Sequence, residues 1–523
     1  MSCLSKSVVV FLVALSQVQG LFAQPVNDEL WTEVSLQQSL ESINQLTDNA
    51  WSSEADEPKV PDRFRLFDLN PQVFEVHANL AINERNFSPR QSFPNNSTIS
   101  LPMPDGSVLN FQLIESSIMS SELQARFPAI RAYRGTCLND LKITMRLDVS
   151  PRGEGLALRA QVNMPEGTVI IDPFGSGNEN INRHMSFAKS RLRGGAVANR
   201  CILERPVERE RNGLQAMRFD PNARVQSGGQ LRTYRLAVAC TGEYSNFHGG
   251  TTASALAAIH STINRVNEVY EREVAIRFQL VSNNDQIIFL DQTTDPFTNN
   301  NAAILANQSQ SVIDSKIGDA NYDIGHTFST GAGGYAPGLV GVSGQKAKGV
   351  TGQSTPVGDP FDVDFVAHEI GHQLNADHTF NGTGCNPRAR FAPTAVEPGS
   401  GSTILAYAGI CNNDDLQGNS HDYFNTISLA QIVDYSSSGA GAVGTTQSTG
   451  NRIPSVDAGV NFTIPSNTPF KLTATGADLD NDPLMYCWEQ VDRGPASAAA
   501  ALDDGKIPLF RSFPPSEIRS RVF

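Results

Sequence analysis

"HEIGHQLNADH", residues 368–378, gathers three of the chain's nine histidines and a glutamate into a short stretch. An α-helix turns by about 100° per residue, so His368 and His372 lie roughly 40° apart on one face and can grip one ion. Zinc takes neutral imidazole in a tetrahedral site and, in catalytic centres, keeps one position for water. A third protein ligand is needed, and His378 is the candidate. A continuing helix would carry His378 away, so the chain must turn sharply before it, through a residue with φ > 0. Asn375 stands at that point, and asparagine tolerates the left-handed region best after glycine. Glu369 is placed to take a proton from water and pass it to a leaving amine. This spacing arises by chance on the order of once in ten thousand such chains, so it outweighs a core or surface explanation for the histidines.

The pattern around the motif predicts a mixed α/β domain. "TYRLAVACTGEY" reads as a buried strand, and "TTASALAAIHSTINRVNEVY" as a helix with a threonine cap and an apolar stripe at Leu256, Ile259, Ile263, Val266 and Tyr270. "VAIRFQLV", "QIIFLD" and "YDIGHTFST" read as strands, with a helix around Ile304 to Ile317 between the last two. Such alternation over about 200 residues indicates a domain with its own core. The glycine-rich "STGAGGYAPGLVGV" ahead of the motif suits either an edge strand that pairs with an extended peptide or a surface loop.

Upstream, "FRLFDL", "FEVHANLAI", "VLNFQLI", "LKITMRLDV" and "LALRAQVNM" alternate with turn residues and predict a β-rich region. It ends in the Arg- and Glu-crowded residues 190–219, a natural boundary and a natural site for proteolytic nicking. The first 23 residues read as a secretory signal: a lysine-bearing start, a short apolar run from Val8 to Leu15 and small-residue cleavage options. Export is therefore expected, and no later stretch approaches the ~20 apolar residues of a membrane span. A net charge of −14 argues against nucleic acid or an anionic membrane as the main partner. Beyond a small-residue linker at 437–453, residues 454–523 alternate as a β-sandwich would and stop short of a closed one. There Asp478, Asp480 and Asp482 form either a calcium loop or a plain acidic turn. Six cysteines remain once Cys3 leaves with the signal, a count that favours disulfides without giving their connectivity.

"HEIGHQLNADHTF" resembles the zinc motif HExxHxxGxxH of the metzincin metallopeptidases, with Asn375 in the glycine's place. Within that clan it is most similar to the secreted reprolysin-like (adamalysin-related) group, while "HTFNGTGC" is also similar to the pappalysins. The likeness runs from about Leu231 to Tyr435, and "LPMPDGSVLNFQLIESSIM" is similar to reprolysin-type propeptides. It implies that His368, His372 and His378 hold Zn2+ between two subdomains and that Glu369 is the acid/base. It also implies a methionine turn below the metal; in "GSTILAYAGIC" Leu405 occupies the methionine's place, a near volume-conserving exchange. Tyr407, two residues on, is similar to a tyrosine that some metzincins use as an extra ligand or oxyanion stabiliser, with packing as the alternative. A Cys385–Cys411 bridge is expected by the same likeness. Cys201 reads as a latency thiol or as half of a disulfide, with Cys137 as one partner.

The resulting expectation is a signal peptide (1–23), a propeptide (24–228), a metzincin-like α/β catalytic domain (229–436), a linker (437–453) and an immunoglobulin-like, cadherin- or PKD-like module (454–523). The chain would be a secreted zinc endopeptidase acting on protein or peptide substrates, with Ca2+ as a second cofactor the C-terminal turn leaves open. An exported adhesion protein with an inactive peptidase-like domain is the competing reading.

Overall fold

In a computed structural model the described residues are 30–35, 61–84, 97–175, 181–192, 225–331, 333–465 and 468–523. The signal segment and Cys201 lie outside them. Two large sheets organise the described chain. The first joins ten strands between Trp31 and Ala188, and all but one of its pairings are antiparallel. "FEVHANLAI" departs from the strand expected there. Residues Pro71–Asn79 are helical, because the Asn70 side chain caps Val73 N, Pro71 fits the first turn, and Phe74 and Ala78 bury one face.

The second sheet carries the motif domain. Its order is Ile276–Leu280, Gln230–Cys240, Ile324–Ser329, Val350–Gly352 and Gly334–Tyr335. The first four are parallel and the last is an antiparallel edge. Parallel strands are covered on both faces, which explains the unbroken buried run from Leu236 to Cys240. The covering helix, Thr252–Val274, starts at a Thr251/Ser254 capping box and buries the whole expected stripe from Leu256 to Tyr270. The strand expected at "QIIFLD" is instead a 3₁₀ turn over Asn284–Ile287. There the Asn284 side chain accepts from Val238 N (2.8 Å) and donates to Val238 O (3.0 Å), and the expected strand is reduced to a single parallel bridge from Ile288 to Cys240.

Within the segment expected as a linker, Thr445–Ser448 pairs antiparallel with Gln230–Thr233. Where an immunoglobulin-like sandwich was expected, the described residues form only two separate two-stranded ladders, Ser455–Asp457 with Thr475–Ala477 and Lys471–Thr473 with Ser520–Val522. No helix among the described residues is long and apolar enough to cross a membrane.

The long helix lies between the two sheets and buries charge as well as apolar surface. Arg265, 2% exposed, reaches Asp172 of the first sheet (2.6 Å) and both Asp359 and Asp362, which lead into the motif. Lys189 joins the cluster through Asp359 (3.1 Å) and Asp422. Two cations thus face four carboxylates, and a shared proton is the natural consequence. Burial raises Asp362 to about 7 against the opposing pull of Arg265 and Thr262. A carboxyl near 3.8 when unfolded and near 7 when folded binds more protons in the native state between those values, so stability falls as pH rises from about 4 to 7. Asp362→Asn should flatten that loss, read as the difference in melting temperature between pH 5 and pH 7.5. An unchanged difference would contradict the assignment.

Candidate metal centre

The motif helix begins irregularly. Asp362–Ala367 winds as a π-helix and passes into the α-helix His368–Gln373, an arrangement that recurs at functional sites. The helix stops in a Schellman turn: Asn375 N donates to His372 O (3.0 Å) and Ala376 N to Gly371 O (3.1 Å), with Asn375 at φ 66°. The expected left-handed asparagine is present, and the reversal returns His378 to the first two histidines.

The three Nε2 atoms stand 3.0–3.2 Å from one another. Each Nδ1 faces a backbone carbonyl: Ile404 O at 2.7 Å for His368, Ala376 O at 2.8 Å for His372 and Ala389 O at 2.8 Å for His378. A carbonyl only accepts, so each ring carries its proton on Nδ1 and aims an Nε2 lone pair at a common point. Three converging lone pairs repel one another, and a shared cation relieves them. Tetrahedral bonds of about 2.0–2.1 Å to nitrogen would set the ligand atoms about 3.3 Å apart, close to the spacing found. Burial pushes His368 down to about 4, against the raising effect of its bond to Ile404, which keeps it in the neutral form a metal takes. The donor set fits zinc.

Below the helix, Leu405 is fully buried, and its Cδ2 lies 2.7 Å from where a Cβ on Gly371 would be. Leucine therefore fills the floor position expected of it. The Tyr407 ring stacks on Phe380 (4.4 Å between centroids) and meets His378 edge-on (4.6 Å). Tyr407 also lines the cleft that His368 and Glu369 open into, together with Asp364, Gly409 and Ser420. Cys385 and Cys411 form a disulfide that joins the loop after His378 to the segment after Tyr407. Among the described residues Cys137 has no disulfide partner.

Several supports escaped the sequence reading. The buried Glu397 carboxylate accepts from Thr379 Oγ1 (2.7 Å), Ser402 N (2.8 Å) and Thr403 Oγ1, fastening the third histidine's strand to the floor segment. Gln373, one helical turn after Glu369, bonds His326 Nδ1 (2.8 Å) and Gly325 O (2.9 Å) and fixes the helix against the sheet. His326 thus has a structural role; the acidic turn at Asp478 closes on itself through the Asp480 and Asp482 amides, and calcium finds no support.

The edge strand Gly334–Tyr335 lies directly on Glu369. A Cβ on Gly334 would lie 1.9 Å from Glu369 Oε1, and one on Gly349 would run into Gln373 and His326. Glycine at these two places lets strand backbone and helix side chains meet, and only the bare Gly334 leaves room for the carboxylate. Gly334→Ala should displace Glu369 by about an ångström and cut turnover about 10²-fold with metal content unchanged. Near-native turnover would contradict it.

Residues 230–436 match the reprolysin-like metallopeptidase family M12B. No curated protein matches the chain. The matched segment spans the second sheet, the motif helix, the floor and the disulfide, and it supports a metallopeptidase domain here.

Proposed function

We propose that the metallopeptidase domain makes this chain a zinc-dependent endopeptidase, exported from the cell and acting on proteins or peptides in extended form. The observation that carries the reading is the convergence of three Nδ1-anchored histidines beside a buried glutamate at one end of an open cleft. His368, His372 and His378 would hold the zinc, which when bound supplies a Lewis acid that polarises the scissile carbonyl and acidifies water. Glu369, confined between Gly334 and the histidines, would take the proton from the attacking water and deliver it to the leaving amine. A substrate strand would add to the edge Gly334–Tyr335, the last strand of the sheet among the described residues. Tyr407 would direct its hydroxyl toward the oxygen that gains negative charge. Tyr407→Phe is then expected to lower kcat by about 10²-fold without loss of metal, and unchanged turnover would leave the ring a packing residue.

The intact Glu369 and three histidines weigh against the inactive adhesion reading. Casein hydrolysis by the purified chain tests the two. Cleavage that stops with a zinc chelator and returns with zinc supports the peptidase. Protein that holds zinc but leaves casein uncut, both intact and after the chain is cut within residues 190–219, supports the adhesion reading.

A further inference from the structure

We propose that the N-terminal module, residues 30–192, is a permanent subunit of the peptidase, which stays seated on the catalytic domain after the chain between them is cut. The inference rests on dividing the chain at the Arg-rich stretch, but its readout, physical association, does not depend on peptide hydrolysis.

The two modules meet at a sheet edge through one isolated bridge. Ile276–Leu280 is the outermost strand of the catalytic sheet, and the first module adds a further rung to it. Leu280 N donates to Ile118 O (2.8 Å), Ser120 N donates to Leu280 O (3.0 Å), and Met119 pairs with Leu280 in parallel register. They also share one core. Ile118, Met119, Leu123 and Ile130 are buried in the same apolar cluster as Phe278 and Leu280. An interface that resembles a domain core cut in half is characteristic of obligate partners, whereas interfaces meant to separate are smaller and more polar.

Charge complementarity fixes the register of the two halves. Arg146 of the first module, 3% exposed, meets Glu268 (3.1 Å) and Glu271 (2.6 Å) of the long helix. Glu84 answers from the same side with Arg277 (3.0 Å). Asp148 accepts from Ser261 (3.1 Å), and Arg265 crosses to Asp172 (2.6 Å). Cation and anion alternate between the modules, which gives the seam specificity as well as area.

The seam runs behind the long helix. The cleft at His368 and Glu369 is lined, among the described residues, only by positions between 360 and 420. No described residue of the first module lines it, and the described part of the module serves as a scaffold behind the helix.

The test uses the full chain with a site-specific protease sequence inserted after Arg211. After complete cutting, the two fragments are run by size exclusion at low salt and at about 1 M sodium chloride, where ion pairs are screened to about 3 Å and apolar contact is not. Co-elution at the uncut mass in both conditions is the expected result. Separate elution in either condition overturns the proposal. Met119→Asp in the cut chain supplies the matching release: its fragments should come apart, and continued co-elution would show that the shared rung and core do not hold the seam.

Discussion

Replacing Glu369 with glutamine is expected to lower turnover by about 10²–10⁴-fold, the range over which a positioned general acid/base acts. The change keeps the side chain's shape, and Glu369 is completely buried against the edge strand at Gly334, so the fold has no reason to move. The three histidines take their orientation from the backbone carbonyls of Ile404, Ala376 and Ala389, which the substitution leaves in place. Metal content should therefore equal that of the wild type. Turnover within tenfold of the wild type would remove Glu369 from the chemistry.

Arg265→Ala should be the most damaging substitution away from the site. It leaves Asp172, Asp359 and Asp362 facing one another with only Lys189 nearby. Removing one partner from a buried ion pair typically costs about 3–5 kcal/mol, because the charges left behind are neither solvated nor paired. Arg265→Lys should recover only part of that loss, since a single ammonium cannot reproduce a fork that reaches three carboxylates. Urea unfolding gives the comparison. A loss below about 1 kcal/mol would show that the carboxylates adjust by taking up protons.

The parts of this site that were legible in the sequence are those whose geometry is local. His368 and His372 follow from helical periodicity, and Asn375 follows from the need for a left-handed residue between His372 and His378. The long helix was legible because its stripe and its Thr251 cap are contained in a single stretch. What was hidden is long-range or depends on a missing atom. Nothing near "VEPGSGST" marks Glu397 as the tie between Thr379 and Thr403, because its partners come from two loops that only the fold brings together. Gly334 is one glycine among many until the helix carrying Glu369 is set against it. "FEVHANLAI", residues 74–82, read as a strand because the helix Pro71–Asn79 is only two and a half turns long and has too few apolar residues to show its period, and the Asn70–Pro71 start signal was the better guide. Met119 read as part of a propeptide-like stretch, and its pairing with Leu280 and its place in the same buried cluster tie it to the motif domain.

The central claim is that His368, His372 and His378 together bind one zinc ion. Native mass spectrometry of the purified chain, alongside His378→Ala, tests it most directly. One zinc per chain in the wild type, lost from the variant at matched folding by circular dichroism, is the predicted result. A wild type that takes up no zinc when it is supplied in excess, or a variant that keeps its full zinc complement, would contradict it.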